Sequence, residues 1–187
     1  VSLIGYVFKQ VVPRPDWLKA PGVKEICSVS NCISKGPDGW AGSSSSGSLN
    51  GWGLSNRHED ARQLVGEEIA GAWDLFGYEL VPVRYVGGVR EGLDVGSDSV
   101  DPLPKDFESL GYDVVSRGRS DFFECSPLSC NGWAEEVGAN EHCLVDLLDE
   151  AHRLASIAEA SGCEPGDYHV VRVWRRRAVV PELRGES

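Results

Sequence analysis

The chain carries Cys-Ser-x-x-x-Cys twice, as Cys27-Ser-Val-Ser-Asn-Cys32 and as Cys125-Ser-Pro-Leu-Ser-Cys130. Six cysteines placed at random would not share a neighbouring serine and a spacing, and the echo extends beyond them. Glu59-Asp60-Ala61 matches Asp149-Glu150-Ala151 at an offset of ninety, Leu64 matches Leu154, and residues 78–83 match residues 168–173. The cysteine pairs sit ninety-eight apart, so the connections between matched elements differ in length, which loops tolerate and packed elements do not. Self-similarity of this kind predicts an internal pseudo-repeat, with units at 1–88 and 110–177 and a linker at 89–109.

Periodicity fills in each unit. Residues 3–12 are rich in β-branched and aromatic side chains and end at Pro13-Arg-Pro15, as a strand before a turn does. Residues 25–34 read as a second strand that holds the first cysteine pair. Residues 36–53 contain Ser43-Ser-Ser-Ser46 between glycines and read as a loop, with Trp40 and Trp52 fastening its ends. Ala61, Leu64, Val65, Ile69, Ala72 and Trp73 follow helical spacing, with Ser55 or Asn56 as cap and Gly77 as stop. Residues 78–86 form the next strand, which Pro82 places at an edge or a bulge. The second unit repeats the order. It has strands at 111–116, 122–128 and 142–145, a helix striped by Leu148, Ala151, Leu154, Ala155 and Ala158 and closed by Gly162, and a final strand at 168–174. The expected fold is one α+β domain over 1–187. Two related strand-strand-helix-strand units would form a mainly antiparallel sheet, with two helices packed on it about a pseudo-two-fold axis.

Charge narrows the partners. The formal net charge is −11, and residues 57–167 carry twenty-four acidic against eight basic side chains. A field of that sign repels phosphate backbones and disfavours nucleic acid, while leaving room for a basic protein partner. Arg172, Arg175, Arg176 and Arg177 are the one basic concentration, and they read as partners for the acidic middle of the same chain. No apolar run approaches the ~18 residues of a membrane span. The apolar opening stretch is short, holds Lys9 and Gln10, and reads as a strand rather than an export signal, so a cytoplasmic protein with reduced thiols is expected.

Three kinds of chemistry follow from the residues. A cleft between the units, lined by the Cys-Ser-x-x-x-Cys segments and by Trp40, Tyr112, Ser126, Asn131, Trp133 and Asn140, would bind a small molecule or a protein partner. Alternatively, Cys125 or Cys130 with His142 and Glu136 would form a thiol-dependent enzyme, because a thiol beside a histidine is an activatable nucleophile. The third reading is a zinc-stabilised protein in which Cys27, Cys32, Cys125 and Cys130 meet. Against zinc stands the strand reading, since residues five apart on a strand face opposite ways. No metal ligand set and no cofactor are therefore assigned. The chain has no phosphate-binding glycine loop, no Gly-x-Ser-x-Gly elbow and no His-Glu-x-x-His.

Overall fold

The computed structural model describes residues 1–37, 49–85, 88–90, 99–117, 123–164 and 166–177. Its centre is a four-stranded antiparallel sheet in the order β1 (Ser2–Lys9), β4 (Asp74–Val81), β8 (Asp167–Arg176), β7 (Glu108–Arg117). Two small hairpins accompany it. One pairs β2 (Val12–Pro13) with β3 (Glu25–Ile26), and the other pairs β5 (Val83–Tyr85) with β6 (Gly88–Arg90). The helices are α1 (His58–Ala72), α2 (Pro127–Cys130), α3 (Trp133–Val137) and α4 (Leu148–Ser161). The fold is α+β, with α1 against β1 and β4 and α4 against β7 and β8.

Alternation assigns the two faces of the sheet. Along β8, Tyr168 and Val170 pack in the core built by α4, while Val171 and Val173 pack in the other core. Asp113 lies opposite Val171, and Arg175 lies opposite Phe76, whose other neighbour is Val7. Lys9, two residues on from Val7, therefore shares a face with Asp113 and Arg175. The two long helices, α1 and α4, cover the opposite face. The predicted stripe of α4 is seen, with Ala151, Leu154, Ala155 and Ala158 buried. Gly162 closes it in the left-handed conformation, which glycine adopts at no steric cost.

Several expectations are corrected. Residues 27–34 form no strand, with bends over 29–34, and residues 127–130 form a helical turn. Residues 142–145 make a turn joined to β7 by one bridge, Tyr112 with Val145. Gly77 does not stop α1, which ends at Ala72; it lies inside β4 opposite Tyr6. A Cβ there would lie 2.8 Å from the tip of the Leu103 side chain, which would have to shift. Pro82 is not in an edge strand, because β4 is central and stops just before it. The linker carries β6. Trp40 and the serine run lie outside the described residues; Trp52 is buried and stacks on Phe123.

Register also corrects the strand match at offset ninety. Gly5 and Gly111 each sit at a bulge, and they lie opposite Tyr78 and Val173 respectively. Tyr78 and Val173 thus hold the same place relative to a bulge glycine, and Tyr168 does not. The slip is five residues, an odd number, which turns side chains to the other face. Tyr78 accordingly packs with Phe76 and Val173, and Tyr168 packs with Val170. The connection from α4 to β8, 162–166, is longer than that from α1 to β4, which is Trp73 alone.

At each bulge an asparagine holds the same turn. Asn50 Nδ2 donates to the Ile4 carbonyl at 2.8 Å, and its Oδ1 accepts from the amides of Trp52 and Leu54. Asn140 Nδ2 donates to the Leu110 carbonyl at 2.8 Å, and its Oδ1 accepts from His142 and Leu144. Both turns press on glycine. A Cβ on Gly5 (φ 140°) would lie 2.6 Å from the Leu54 Cβ, and one on Gly111 (φ 133°) would lie 2.8 Å from the Val145 carbonyl oxygen. Gly5→Ala and Gly111→Ala are each expected to lower unfolding stability by about 2–3 kcal/mol in urea titration. Gly71→Ala, in α1 with open space around it, should be neutral or stabilise by up to about 1 kcal/mol. Alanine variants at 5 and 111 as stable as the parent would refute the close approach.

Candidate functional site

Two charged side chains of the edge strands, Lys9 in β1 and Asp113 in β7, are buried. A buried carboxylate needs donors. Asp113 Oδ2 accepts from Ser28 Oγ at 2.7 Å and from the Val29 amide at 2.9 Å, and Oδ1 accepts from Ser126 Oγ at 2.6 Å. These serines are the two that follow the first cysteine of each motif. One carboxylate therefore fastens both Cys-Ser-x-x-x-Cys segments. Burial pushes the Asp113 carboxyl above the usual range, against the pull of those hydrogen bonds.

Lys9 shapes the first segment. Its Nζ donates to the carbonyls of Ser28, Val29 and Ser30 at 2.7, 3.1 and 2.7 Å. Burial pulls this amine down to about 7, opposed by the charge of Asp113. The segment then curls on its own hydroxyls, with Ser28 Oγ accepting from the Ser30 amide and Ser30 Oγ from the Cys32 amide. Local serine turns of this kind compete with strand pairing. Ser30 Oγ also donates to the Glu124 carbonyl at 2.6 Å, joining the first segment to the second.

The thiols meet where the segments meet. Cys32 and Cys125 Sγ are 3.2 Å apart, and with Cys130 Sγ all three lie within 4.8 Å of one another. α2 makes this possible. Pro127 begins the helical turn and the Cys130 amide donates to the Ser126 carbonyl at 2.8 Å, which brings Cys130 back beside Cys125. Burial pushes the Cys125 and Cys130 thiols upward, and the neighbouring cysteines add to the shift.

Cys27 lies apart from them. It is buried, with its Sγ 3.7 Å from Glu25 Oε1 and 3.6 Å from Arg175 Nη1. His142 Nδ1 is 2.7 Å from the same Glu25 oxygen, and Arg175 Nη1 donates to it at 2.6 Å. Arg175 is 2% exposed and also faces Asp74 and Glu108. Glu25, Cys27 and His142 could span one ion, but the guanidinium already neutralises the carboxylate. Burial and the Glu25 charge push the Cys27 thiol well up, which leaves it a poor nucleophile. This cluster is an ion-pair anchor that ties β3 to β8.

The predicted site residues thus separate. Cys125, Cys130 and Ser126 come together, joined by Cys32. His142 is placed with Cys27 and Glu25 rather than with Cys125 or Cys130. Glu136 and Trp133 line a separate 250 Å³ depression beside Arg153 and Leu154. Asn131 Nδ2 donates to Cys163 Sγ at 2.8 Å. Asn140 holds its turn, and Tyr112 lies 5.8 Å from the Arg172 guanidinium. Lys9 and Asp113 are the site residues that sequence reasoning did not single out, while Arg175 meets Asp74 and Glu108 of the acidic middle as expected and Glu25 besides. A charge with apolar neighbours, Phe8 beside Lys9 and Val114 beside Asp113, was the available signal, since such a charge must find partners when buried. Arg176 and Arg177 pair with Asp106 and Glu108, carboxylates of the acidic middle.

No family model matches the chain, and no curated protein or solved structure does either. Two measurements probe the anchors. Asp113→Asn should cost about 3 kcal/mol in urea titration, because it leaves buried donors misdirected. Ser126→Ala should cost about 1 kcal/mol, and a neutral Asp113→Asn would remove the carboxylate from its central place. Burial alone would raise the Glu25 carboxyl, but Arg175 and His142 hold it below its usual 4.5. Its stabilisation is therefore present at neutral pH and is lost as pH falls below that value. Glu25→Gln should be less stable by about 1 kcal/mol at pH 7, the half-open carboxylate being partly screened. The gap should close in acid; a gap that persists at pH 3 would contradict the ion-pair account.

Proposed function

We propose that this is a metal-binding protein in which two related segments close on one soft divalent ion, zinc by ligand chemistry, with Cys32, Cys125 and Cys130 as thiolate ligands. The observation that carries the reading is the convergence of three thiols within 4.8 Å from positions 93 and 98 residues apart. Zinc ligands at ~2.3 Å in a tetrahedron lie about 3.8 Å from one another, a spacing bracketed by the 3.2 Å of Cys32 and Cys125 and the 4.8 Å that contains all three thiols. Three protein ligands leave a fourth position for water or a small ligand, as in accessible zinc sites. Coordination would deprotonate the Cys125 and Cys130 thiols, which burial pushes upward.

The units 1–88 and 110–177 are read as an internal duplication about an axis between β4 and β8. The paired asparagine turns, the paired bulge glycines and the antiparallel register of the central strands support this. The metal site then sits where the two motifs of the duplication meet, as a ligand cleft between repeats would. Thiol catalysis draws less support, since His142 is engaged by Glu25. No helix among the described residues is long and apolar enough to cross a membrane.

A second reading rests on the 3.2 Å separation itself. Cys32 and Cys125 could exchange with an oxidised low-molecular-weight disulfide, forming their own S–S bond as two small thiols leave. One set of measurements separates the readings. Protein purified without added reductant or chelator and analysed for metal should carry one zinc per chain. Cys32→Ser, Cys125→Ser and Cys130→Ser should each lose it, while Cys143→Ser and Cys163→Ser keep it. Cobalt(II) substitution should give sulfur-to-metal charge transfer. Metal-free protein whose intact mass is two hydrogens short, with residues 32 and 125 in one linked peptide, would instead establish the disulfide. Metal-free, fully reduced protein would sink both.

A further inference from the structure

α1 and α4 begin at matching distances from the asparagine turns, yet they meet the sheet differently. α4 is regular and lays a row of alanines and Leu154 directly on the strands. α1 is broken at Gly66 (φ 77°, ψ 164°), and only Ala61 and Ala70 are buried. The break shifts the helical phase, so Ala70 turns inward where spacing had placed Ala72. Beneath the resulting arch lies a cavity of about 370 Å³, within the range of small-molecule sites, ~300–1,000 Å³. Both arms of the broken helix line it.

Its lining has two characters. Phe8, Leu75, Ala70 and Trp73 offer apolar and aromatic surface, and Arg62, Arg176 and Arg177 bring three guanidinium groups. In a chain of net charge −11 this concentration of cations in one cavity is exceptional. The one carboxylate of the lining, Glu59, is taken up by His58 Nε2 at 3.1 Å. His58 Nδ1 is buried without a hydrogen-bond partner. Each arginine has an exposed carboxylate partner: Glu67, Asp106 and Glu108 respectively. Exposed pairs of this kind contribute little and exchange readily for a better-placed anion.

We propose that this cavity is a binding site for a small organic anion with a flat apolar body, of the aromatic carboxylate class. The guanidinium fork matches a carboxylate geometrically, and its planar face accepts an aromatic ring. Trp73 and Phe8 supply the surface for the ring. None of the three clustered thiols lines the cavity, so the site stands independently of the metal reading.

The test uses the full chain, reduced, with three probes in calorimetric titration: 2-naphthoate, the uncharged 2-naphthamide, and inorganic phosphate. Saturable binding is expected for 2-naphthoate, at least tenfold tighter than for either of the others. The double variant Arg176→Gln, Arg177→Gln should weaken it at least tenfold, and Arg62→Gln should weaken it severalfold, with thermal melts confirming the fold. The proposal is overturned if 2-naphthoate does not saturate, or if the amide binds equally well. It is equally overturned if phosphate matches the naphthoate, or if the arginine variants bind unchanged.

Discussion

The carboxylate of Asp113 is the interaction on which the rest of the structure turns. It is fully buried on β7, and its two oxygens take hydroxyls from Ser28 and Ser126, residues ninety-eight apart in the chain. Neither Cys-Ser-x-x-x-Cys segment has a place in the main sheet. The first is irregular backbone and the second is a single helical turn, yet Ser28, Ser30, Ser126 and Ser129 are all buried. Irregular backbone can be buried only when its polar groups are satisfied. Asp113 and Lys9 supply that satisfaction from the two edge strands of the sheet, the acid taking hydroxyls and an amide, the amine taking three consecutive carbonyls. The serine of the motif is thus the fixed point, and the cysteines are what the fixed point positions.

That division of labour explains how far the sequence could be read. Helix α4 was legible because its inward face is a clean 3.6-residue stripe over a straight helix. β1, β7 and β8 were legible from dense β-branched and aromatic runs. The cysteine segments were not, because a period-two reading assumes a ladder partner. Here the backbone is held by hydroxyls and by a lysine whose involvement depends on tertiary structure. The five-residue slip between Tyr78 and Tyr168 was hidden for a related reason. Two tyrosine-led strands of similar composition align well in sequence, whereas register is set by where Gly5 and Gly111 bulge. Gly77 and Pro82 misled because punctuation residues have several uses. One makes room for Leu103 and the other ends a central strand. In the candidate site, Cys125, Cys130 and Ser126 were legible as members of a repeated motif, and His142 was assigned to the wrong thiol.

The two constellations that contain cysteine differ in what surrounds the sulfur. Cys27 faces a guanidinium and a carboxylate that neutralise one another, leaving its thiol no charge to gain by ionising in a dry site. Cys32, Cys125 and Cys130 face one another. At Cys125 and Cys130, burial first and then the neighbouring thiols disfavour the thiolate until a cation joins the group. A divalent ion reverses that balance. Lys9 lies close enough to feel the charges of Cys32 and Cys130, so a metal-thiolate cluster with residual negative charge would have a buried cation nearby.

The halves of the sheet then divide two tasks between its faces. On the face of Lys9 and Asp113, the motif segments meet and bring their thiols together. On the opposite face, one helix packs flat and the other arches. The difference traces to a single backbone break, because a left-handed residue inside a helix redirects everything that follows it, and glycine admits that conformation where other residues resist it. Had α1 continued straight, its second arm would lie on Phe8 and Leu75 as α4 lies on Val114 and Val170. Gly66 lifts the helix instead, and the volume released is bordered by the arginines at the end of β8. Arg175, by alternation, points to the other face and closes the ion-pair anchor there, while Arg176 turns toward the cavity. Consecutive arginines on one strand thereby serve opposite faces of the sheet, the first buried and the second half-open to solvent.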